Sequence, residues 1–400
     1  MYRIECPGCG WAPDAAPLGG ECPSCGELIA FRYDAGFTVR SGERSMWRYA
    51  DLLPVADRDH VVSMGEGCTP LLRSRIDIGC ELFLKDESRN PTGSMKDRAM
   101  SAAYSKAKEL GIRRSVIVST GGAGIAASAY AGRAGVDNVI IVPPGVNEDR
   151  KTAMRMFGSE VIELDGNIEE CLNVVRRLVR ERGWYETTTY KRANPYTAEG
   201  PKTIAYEIVE QLSGVPDAVL VPAGGGGTLG AIWRGFREMR ERGAADRLPR
   251  LIAVQNRRFN GLEIALRQNF RTDADFRALE GIDSSVETVT GPLRHSYMPD
   301  GAEALEAVRD TGGTVATVTE EEAMEAQRII ASRDGLFVEP SSAVTLAAAR
   351  KLAADGTLAA GSRVVLVLTG SGYREMAAAA RHNARPARRM SAEECLRYLS

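Results

Sequence analysis

The most informative segment of the chain is Asn90-Pro91-Thr92-Gly93-Ser94-Met95-Lys96-Asp97-Arg98. It lies between a strand-like run at residues 81–85 and an alanine-rich run at residues 100–104, which favours a helix. A turn rich in Asn, Pro and Gly therefore leads Lys96 into the start of a helix, where the positive end of the helix dipole disfavours a second positive charge. A lysine held this way in a partly dry site tends toward its neutral, nucleophilic amine, the form that Schiff-base chemistry requires.

Composition and charge narrow the class of protein. The chain has 400 residues and a net charge of -2, with 51 Lys and Arg against 53 Asp and Glu interspersed. This length is ample for two α/β domains, and no basic field favours nucleic acid or an anionic membrane. No apolar run has the ~18 residues of a membrane span. We therefore expect a soluble cytoplasmic protein.

Eight cysteines divide into two groups. The scattered ones are typical of reduced thiols. The others, Cys6, Cys9, Cys22 and Cys25, form a C-x2-C-x12-C-x2-C array. Two such knuckles complete a tetrahedron of thiolates suited to structural zinc, and a degenerate, metal-free ribbon is the alternative. We predict a zinc ribbon and linker over residues 1–45.

Short apolar runs alternate with longer helical stretches over the rest of the chain. This alternation is typical of buried parallel strands in doubly wound α/β layers. The predicted strands are residues 115–118, 139–142, 218–221, 251–254 and 364–368.

Three turns follow predicted strands, where α/β proteins place their functional residues. The first turn, which precedes a helix, is Ser119-Thr120-Gly121-Gly122-Ala123-Gly124. The second, which also precedes a helix, consists of Gly224, Gly225, Gly226, Gly227 and Thr228. The third ends the last strand and is Thr369-Gly370. Backbone N–H groups at a glycine-rich helix start suit a phosphate, although a tight crossover explains the glycines equally well. The P-loop lysine and the G-x-G-x-x-G fingerprint are both missing, which argues against a nucleotide or dinucleotide.

These segments together resemble the fold-type II enzymes of pyridoxal phosphate, and within them the threonine synthases and the similar cysteate synthases. The landmarks span roughly residues 62–375, and some threonine synthases also carry a zinc ribbon. Besides the three turns and the Lys96 stretch, the landmarks are residues 66–70, 85–87, 194–196, 199–203 and 339–343.

The resemblance implies a fold of the tryptophan synthase β-like architecture. Residues 46–88 and 190–400 would form a large cofactor domain, and residues 89–189 a small mobile α/β domain. A homodimer is the expected assembly.

The same resemblance assigns site residues by position. Lys96 would bind the cofactor covalently and act as the base, and Thr369 would face the ring nitrogen. Residues 224–228 would hold the cofactor's phosphate. Ser119, Thr120 and Gly121 would contact the substrate carboxylate.

Two departures from the family pattern concern the ligands. Gly122 stands where the family has an asparagine that bonds the cofactor's 3-hydroxyl, and Thr197 stands where an arginine grips the substrate phosphate. Losing an arginine fork forfeits charge-assisted hydrogen bonds. Arg294 and His295 are candidate replacements; a solvated arginine and a packed histidine are the alternatives.

The resemblance implies a lyase that eliminates or replaces a group at the β or γ carbon of an amino acid, such as O-phosphohomoserine. The alternatives are cysteate-synthase-like replacement on O-phosphoserine and a serine/threonine ammonia-lyase. A catalytically silent homologue with a partner-binding ribbon is a further alternative.

Overall fold

The computed structural model describes residues 2–382 and 387–400. One parallel sheet, one mostly parallel sheet and an N-terminal hairpin organise these residues. The strands are β1 (Tyr2–Glu5), β2 (Ala30–Tyr33), β3 (Leu71–Arg73), β4 (Glu81–Asp86), β5 (Arg114–Val118), β6 (Asp137–Val142), β7 (Glu160–Glu163), β8 (Tyr185–Glu186), β9 (Ala218–Pro222), β10 (Arg250–Asn256), β11 (Thr314–Val318) and β12 (Arg363–Leu368).

Helices follow most of these strands, as the alternating pattern predicts. The α-helices are α1 (Lys96–Glu109), α2 (Gly122–Ala134), α3 (Glu148–Met156), α4 (Ile168–Arg182), α5 (Thr203–Leu212), α6 (Gly227–Glu241), α7 (Gly261–Arg267), α8 (Asp273–Arg277), α9 (Gly301–Asp310), α10 (Glu320–Asp334), α11 (Pro340–Ala354), α12 (Met376–His382) and α13 (Ala392–Leu399). Short 3-10 turns cover Met46–Leu52, Arg58–His60, Glu87–Arg89, Pro195–Ala198, Gly291–Leu293 and Gly372–Arg374. No helix of the described residues is both long and apolar enough to cross a membrane.

The larger sheet has the strand order β11-β10-β9-β12-β4-β3. Its strands are parallel except for the edge strand β3, which runs antiparallel to β4. Successive residues of a strand point to opposite faces. On β9, Val219 therefore packs with Ile208 of α5, while Leu220 packs with Val344 of α11 on the other face. Both faces are covered by helices, which confirms the doubly wound prediction.

The smaller sheet has the order β7-β6-β5-β8, with all pairs parallel. Ile117 of β5 packs beneath α1 and α2, and Val116 packs with Cys171 and Val175 of α4 on the opposite face. The five strands expected from the sequence are therefore all present and parallel.

The N-terminal hairpin β1–β2 packs against the segment that follows the smaller sheet. The Tyr33 hydroxyl donates to Glu199 at 2.7 Å, and Lys202 Nζ lies 3.9 Å from the centre of the Tyr33 ring. The Tyr196 hydroxyl donates to the backbone oxygen of Pro17 at 3.0 Å. A cation over a ring and a buried hydrogen bond both require close packing, so the hairpin is part of the main body.

Candidate active site

The Lys96 turn is paired with the turn that ends the last strand of the larger sheet. The Met95 N–H donates to the Thr369 carbonyl at 2.9 Å, and the Ser371 N–H donates to the Gly93 carbonyl at 2.9 Å. Two segments almost 280 residues apart in the sequence therefore lie side by side, because β12 is the parallel neighbour of β4. The Lys96 turn and the Thr369 turn therefore lie next to each other.

Lys96 is the first residue of α1, as expected, and its side chain is partly buried. Its Nζ donates to Thr189 Oγ1 at 3.1 Å. Burial lowers the pKa of Lys96, although the nearby carboxyl groups of Asp300 and Glu339 oppose this effect. Because desolvation disfavours the charged form, the amine is shifted toward the nucleophilic state.

A buried ion network fixes the Lys96 turn to the larger sheet. Arg98 Nε donates to Glu87 Oε2 at 2.7 Å, and its Nη1 donates to Glu207 Oε1 at 2.6 Å. Lys85 Nζ donates to the second oxygen of Glu207, also at 2.6 Å. All four side chains are almost inaccessible to solvent, and their charges balance. Several of the family landmarks therefore meet in one polar cluster beneath the lysine.

The glycine turn at the start of α6 lies against the residues that precede α9. Gly226 has φ +98°, and a Cβ atom there would lie 2.6 Å from the Asp300 carbonyl oxygen. A Cβ atom at Gly224 would lie 2.9 Å from His295 Cδ2. Only glycine fits such approaches, which explains why glycines form the turn at the start of α6.

Two titratable groups line this turn. Burial, with the field of Glu303, raises the pKa of Asp300 to about 7, and its Oδ1 accepts the Lys191 N–H at 3.1 Å. Burial, with Lys96 and Arg294 nearby, lowers the pKa of His295 to about 4. His295 is therefore a neutral imidazole at pH 7.

Thr369 is buried at the end of β12 within a hydroxyl and carboxylate cluster. Its Oγ1 donates to Glu339 Oε1 at 2.9 Å and lies 2.9 Å from Ser342 Oγ. Thr369 is therefore held in one orientation by two partners from the start of α11.

The first Ser-Thr-Gly turn joins β5 to α2. Ser119 Oγ accepts the Gly124 N–H at 2.8 Å, and the Thr120 carbonyl accepts from Arg150 Nη1 at 3.0 Å. Arg150 also pairs with Glu375, which follows the last strand of the larger sheet. The turn is thus fixed to both sheets, and Thr120 and Gly121 remain partly exposed.

Arg294 and His295, the candidate ligands of the substrate phosphate, and Thr197, which replaces the family's arginine, lie in different environments. His295 packs on the glycine turn, whereas Arg294 is exposed to solvent. Thr197 is buried, and its hydroxyl donates to the Asn194 carbonyl at 2.7 Å. Thr197 Oγ1 is therefore already satisfied within its own turn.

Sequence reasoning assigned no role to Thr189, Asp300 or Glu339, although all three lie near the Lys96 amine. Glu339 belongs to the family landmark at residues 339–343 and was identifiable from the sequence. Thr189 and Asp300 follow no motif, and their positions depend on long-range packing. The roles of the predicted site residues stay predictions.

The four ribbon cysteines lie together. Their sulfurs are all within 4.8 Å of one another, with Cys6 to Cys25 at 3.4 Å and Cys9 to Cys22 at 3.6 Å. Tetrahedral zinc with bonds of about 2.3 Å places thiolates roughly 3.8 Å apart. The donor set and its spacing fit that ion.

Comparison with known proteins gives the family. Residues 62–370 match the pyridoxal-phosphate dependent enzyme family. The threonine synthase of Methanocaldococcus jannaschii is 35% identical over 396 residues, covering 96% of this chain and 95% of the relative. That of Synechocystis is 36% identical over 370 residues, covering 91% and 89%. These relatives favour threonine-synthase-like activity over the alternatives left open by the sequence.

Solved structures agree on the fold. The L-serine ammonia-lyase from Rhizomucor miehei has a TM-score of 0.67 at 24% identity, covering 80% of this chain and 98% of that protein. Maize serine racemase has a TM-score of 0.65 at 22% identity, covering 79% and 94%. With the family match, the relatives and the paired Lys96 and Thr369 turns together, the chain belongs to the pyridoxal-phosphate-dependent enzymes as a threonine-synthase-like lyase acting on a carbon–oxygen bond.

Proposed function

We propose that this enzyme converts O-phosphohomoserine and water to threonine and inorganic phosphate. The γ-carbon–oxygen bond breaks, phosphate leaves with the electron pair, and the oxygen of water joins the β carbon. The observation that carries the proposal is the Lys96 amine beside Thr189, with the Thr369 and glycine turns around it. The similarity to threonine synthases supports threonine as the product.

The residues fit the cofactor that the family uses. Pyridoxal phosphate supplies an electron sink for the substrate's α-carbon when it is bound. Lys96 Nζ would hold it covalently and then take the proton from the substrate α-carbon. The lowered pKa of Lys96 supports both roles, since each needs a neutral amine.

The remaining site residues would position the cofactor and the substrate. The N–H groups of Gly224, Gly225, Gly226 and Gly227, with Thr228, would bind the cofactor phosphate at the positive end of α6. Thr369 would face the ring nitrogen, and Ser119, Thr120 and Gly121 would bind the substrate carboxylate.

Arg294 would bind the substrate phosphate together with His295. The exposure of Arg294 leaves its guanidinium free to reach a ligand from the glycine-turn side. Arg294→Ala should then weaken the binding of O-phosphohomoserine and leave the binding of unphosphorylated amino acids unchanged. Equal effects on both classes of amino acid would contradict this role.

The ribbon would hold one structural zinc ion through Cys6, Cys9, Cys22 and Cys25. The support is the sulfur spacing and the turns that follow each pair, where Gly10 and Gly26 have φ +74° and +79°. Because all four ligands are protein thiolates, the ion would stabilise folding and take no part in catalysis.

Residues 89–189 would move as a small domain against residues 46–88 and 190–400. The smaller sheet lies wholly within the first of these ranges, which supports that division. The enzyme would act as a cytoplasmic homodimer; sedimentation of the purified protein tests the assembly.

A substrate panel on the holoenzyme tests the activity. O-phosphohomoserine should release phosphate and threonine in equal amounts, and the Lys96→Ala variant should release neither. Release of ammonia from serine or threonine, without phosphate turnover, would refute the proposed reaction in favour of a lyase that deaminates.

A further inference from the structure

Gly122 opens α2 at the position where family members carry an asparagine. The space that a side chain would take there is filled by another residue. A Cβ atom at Gly122 would lie 2.7 Å from Nη2, 3.2 Å from Nη1 and 3.3 Å from Cζ of Arg374. The contact at 2.7 Å is closer than real Cβ atoms make, and the other two are tight, so a side chain at Gly122 requires the Arg374 guanidinium to move.

Arg374 reaches this position from the segment after Thr369. Its Cδ would lie 3.4 Å from a Cβ atom at Gly93, which belongs to the Lys96 turn. The arginine stem therefore runs along the lysine turn, and the guanidinium ends at the start of α2. Arg374 therefore lies beside both the Lys96 turn and the start of α2.

The guanidinium has an unused donor. Arg374 Nη1 is buried and has no hydrogen-bond partner among the residues that the structure describes. A buried polar group without a partner costs free energy, and more so when it is charged. The neighbouring carboxylate of Glu375 is already paired with Arg150. An anionic oxygen from a ligand would complete the arrangement.

We infer that Arg374 replaces the missing asparagine and donates from Nη1 to the ring 3-oxygen of the cofactor. The inference rests on the proposed placement of pyridoxal phosphate at Lys96. An arginine binds an anionic oxygen more strongly than a neutral amide does. The site therefore pairs the cofactor oxygen with a cation, and Arg374 acts as a positioning residue supplied by the segment after β12.

Cofactor binding to the apoenzyme tests this inference. Pyridoxal phosphate and its 3-deoxy analogue are titrated into the wild type, Arg374→Ala and Arg374→Gln, with binding followed by tryptophan fluorescence. Loss of a hydrogen bond to a charged group should weaken the binding of pyridoxal phosphate to both Arg374 variants by about tenfold to a hundredfold. The 3-deoxy analogue should bind the three proteins equally, because it lacks the oxygen. Arg381→Ala, an exposed arginine on α12, is the matched control.

A residue swap provides the second arm. Gly122→Asn alone should lower the affinity for the cofactor, because the asparagine collides with Arg374. In the Arg374→Ala background, Gly122→Asn should recover most of the lost affinity, since it restores the amide donor. Equal thermal midpoints of the apo proteins show that the variants are folded.

Three results would overturn the inference. If Arg374→Ala binds pyridoxal phosphate as tightly as the wild type does, Arg374 makes no contact with the cofactor. An equal loss for both cofactor forms would make Arg374 merely structural. A loss confined to the binding of an unreactive amino acid, with cofactor affinity intact, would assign Arg374 to the substrate carboxylate. Failure of the wild type itself to bind the cofactor would refute the proposed function instead.

Discussion

Glu207→Gln is the sharpest test of the ion network beneath the lysine. The substitution keeps the shape of the side chain but leaves the buried cations Lys85 and Arg98 with Glu87 alone. Breaking a buried ion pair from one side costs about 3–5 kcal/mol. At about 2.1 cal/mol/K per residue, unfolding of the 400-residue chain as one unit translates this loss into a midpoint lower by about 4–6 °C.

Calorimetry of the apoenzyme at pH 7 measures this shift, with Glu241→Gln as the control. Glu241 is exposed on α6 and pairs with Arg237 at 3.3 Å, a contact worth well under ~1 kcal/mol. A Glu207→Gln midpoint within 1 °C of the control, a margin of about one quarter of the smallest expected shift, would show that the network does not hold the turn in place.

The pH dependence of the same variant has a fixed sign. Burial raises the pKa of Glu207, but Arg98 and Lys85 more than offset burial and hold it well below its usual range. Its contribution to stability is therefore complete above the unfolded pKa of about 4.3 and is lost as pH falls through the folded pKa. The gap between the wild type and Glu207→Gln should narrow below about pH 4, and a widening gap would contradict the assignment.

Further outcomes follow from the site and the ribbon. Lys96→Ala should lose the cofactor attachment that borohydride reduces; a retained covalent adduct would exclude Lys96. Elemental analysis should find about one zinc per chain, and chelation should lower stability, whereas zinc-free stable protein would contradict the site. Burial raises the pKa of Asp300 to about 7, whereas an unfolded Asp titrates near 3.9; the wild-type apoenzyme should therefore lose stability as pH rises from about 4 to about 7, with no further loss above that. Asp300→Asn, which keeps an acceptor for the Lys191 N–H, should flatten that loss, and an unchanged slope between about pH 4 and 7 would refute it.

The sequence predicted the parts of the site that lie on the chain next to strands. Lys96, the glycine turn and Thr369 each follow a run of apolar residues, and parallel strands bring such turns to one edge of a sheet. Local pattern is sufficient there because strand direction alone decides which end of a segment faces the ligand.

The remaining contacts of the site could not be read from local pattern. Thr189 meets Lys96 across 93 residues, and no motif marks it. Arg374 lies in a short turn after the last strand, and only its short distance to Gly122 in the folded structure indicates a role for it. The sequence identified the missing asparagine, whereas the filling of its place depends on how two sheets pack together.

The docking of the N-terminal hairpin has a consequence for how the chain is made. Tyr33 bonds Glu199, a residue 166 positions later. At ribosomal rates of about 5–20 residues per second, the hairpin waits roughly ten to thirty seconds for the surface that covers it. During that interval its aromatic residues Tyr2, Phe31 and Tyr33 can pack only on one another and on apolar residues of the same N-terminal segment, such as Ile4 and Ile29. Zinc bound by the two pairs of ribbon cysteines would keep this apolar face ordered until the segment around Glu199 has been synthesised.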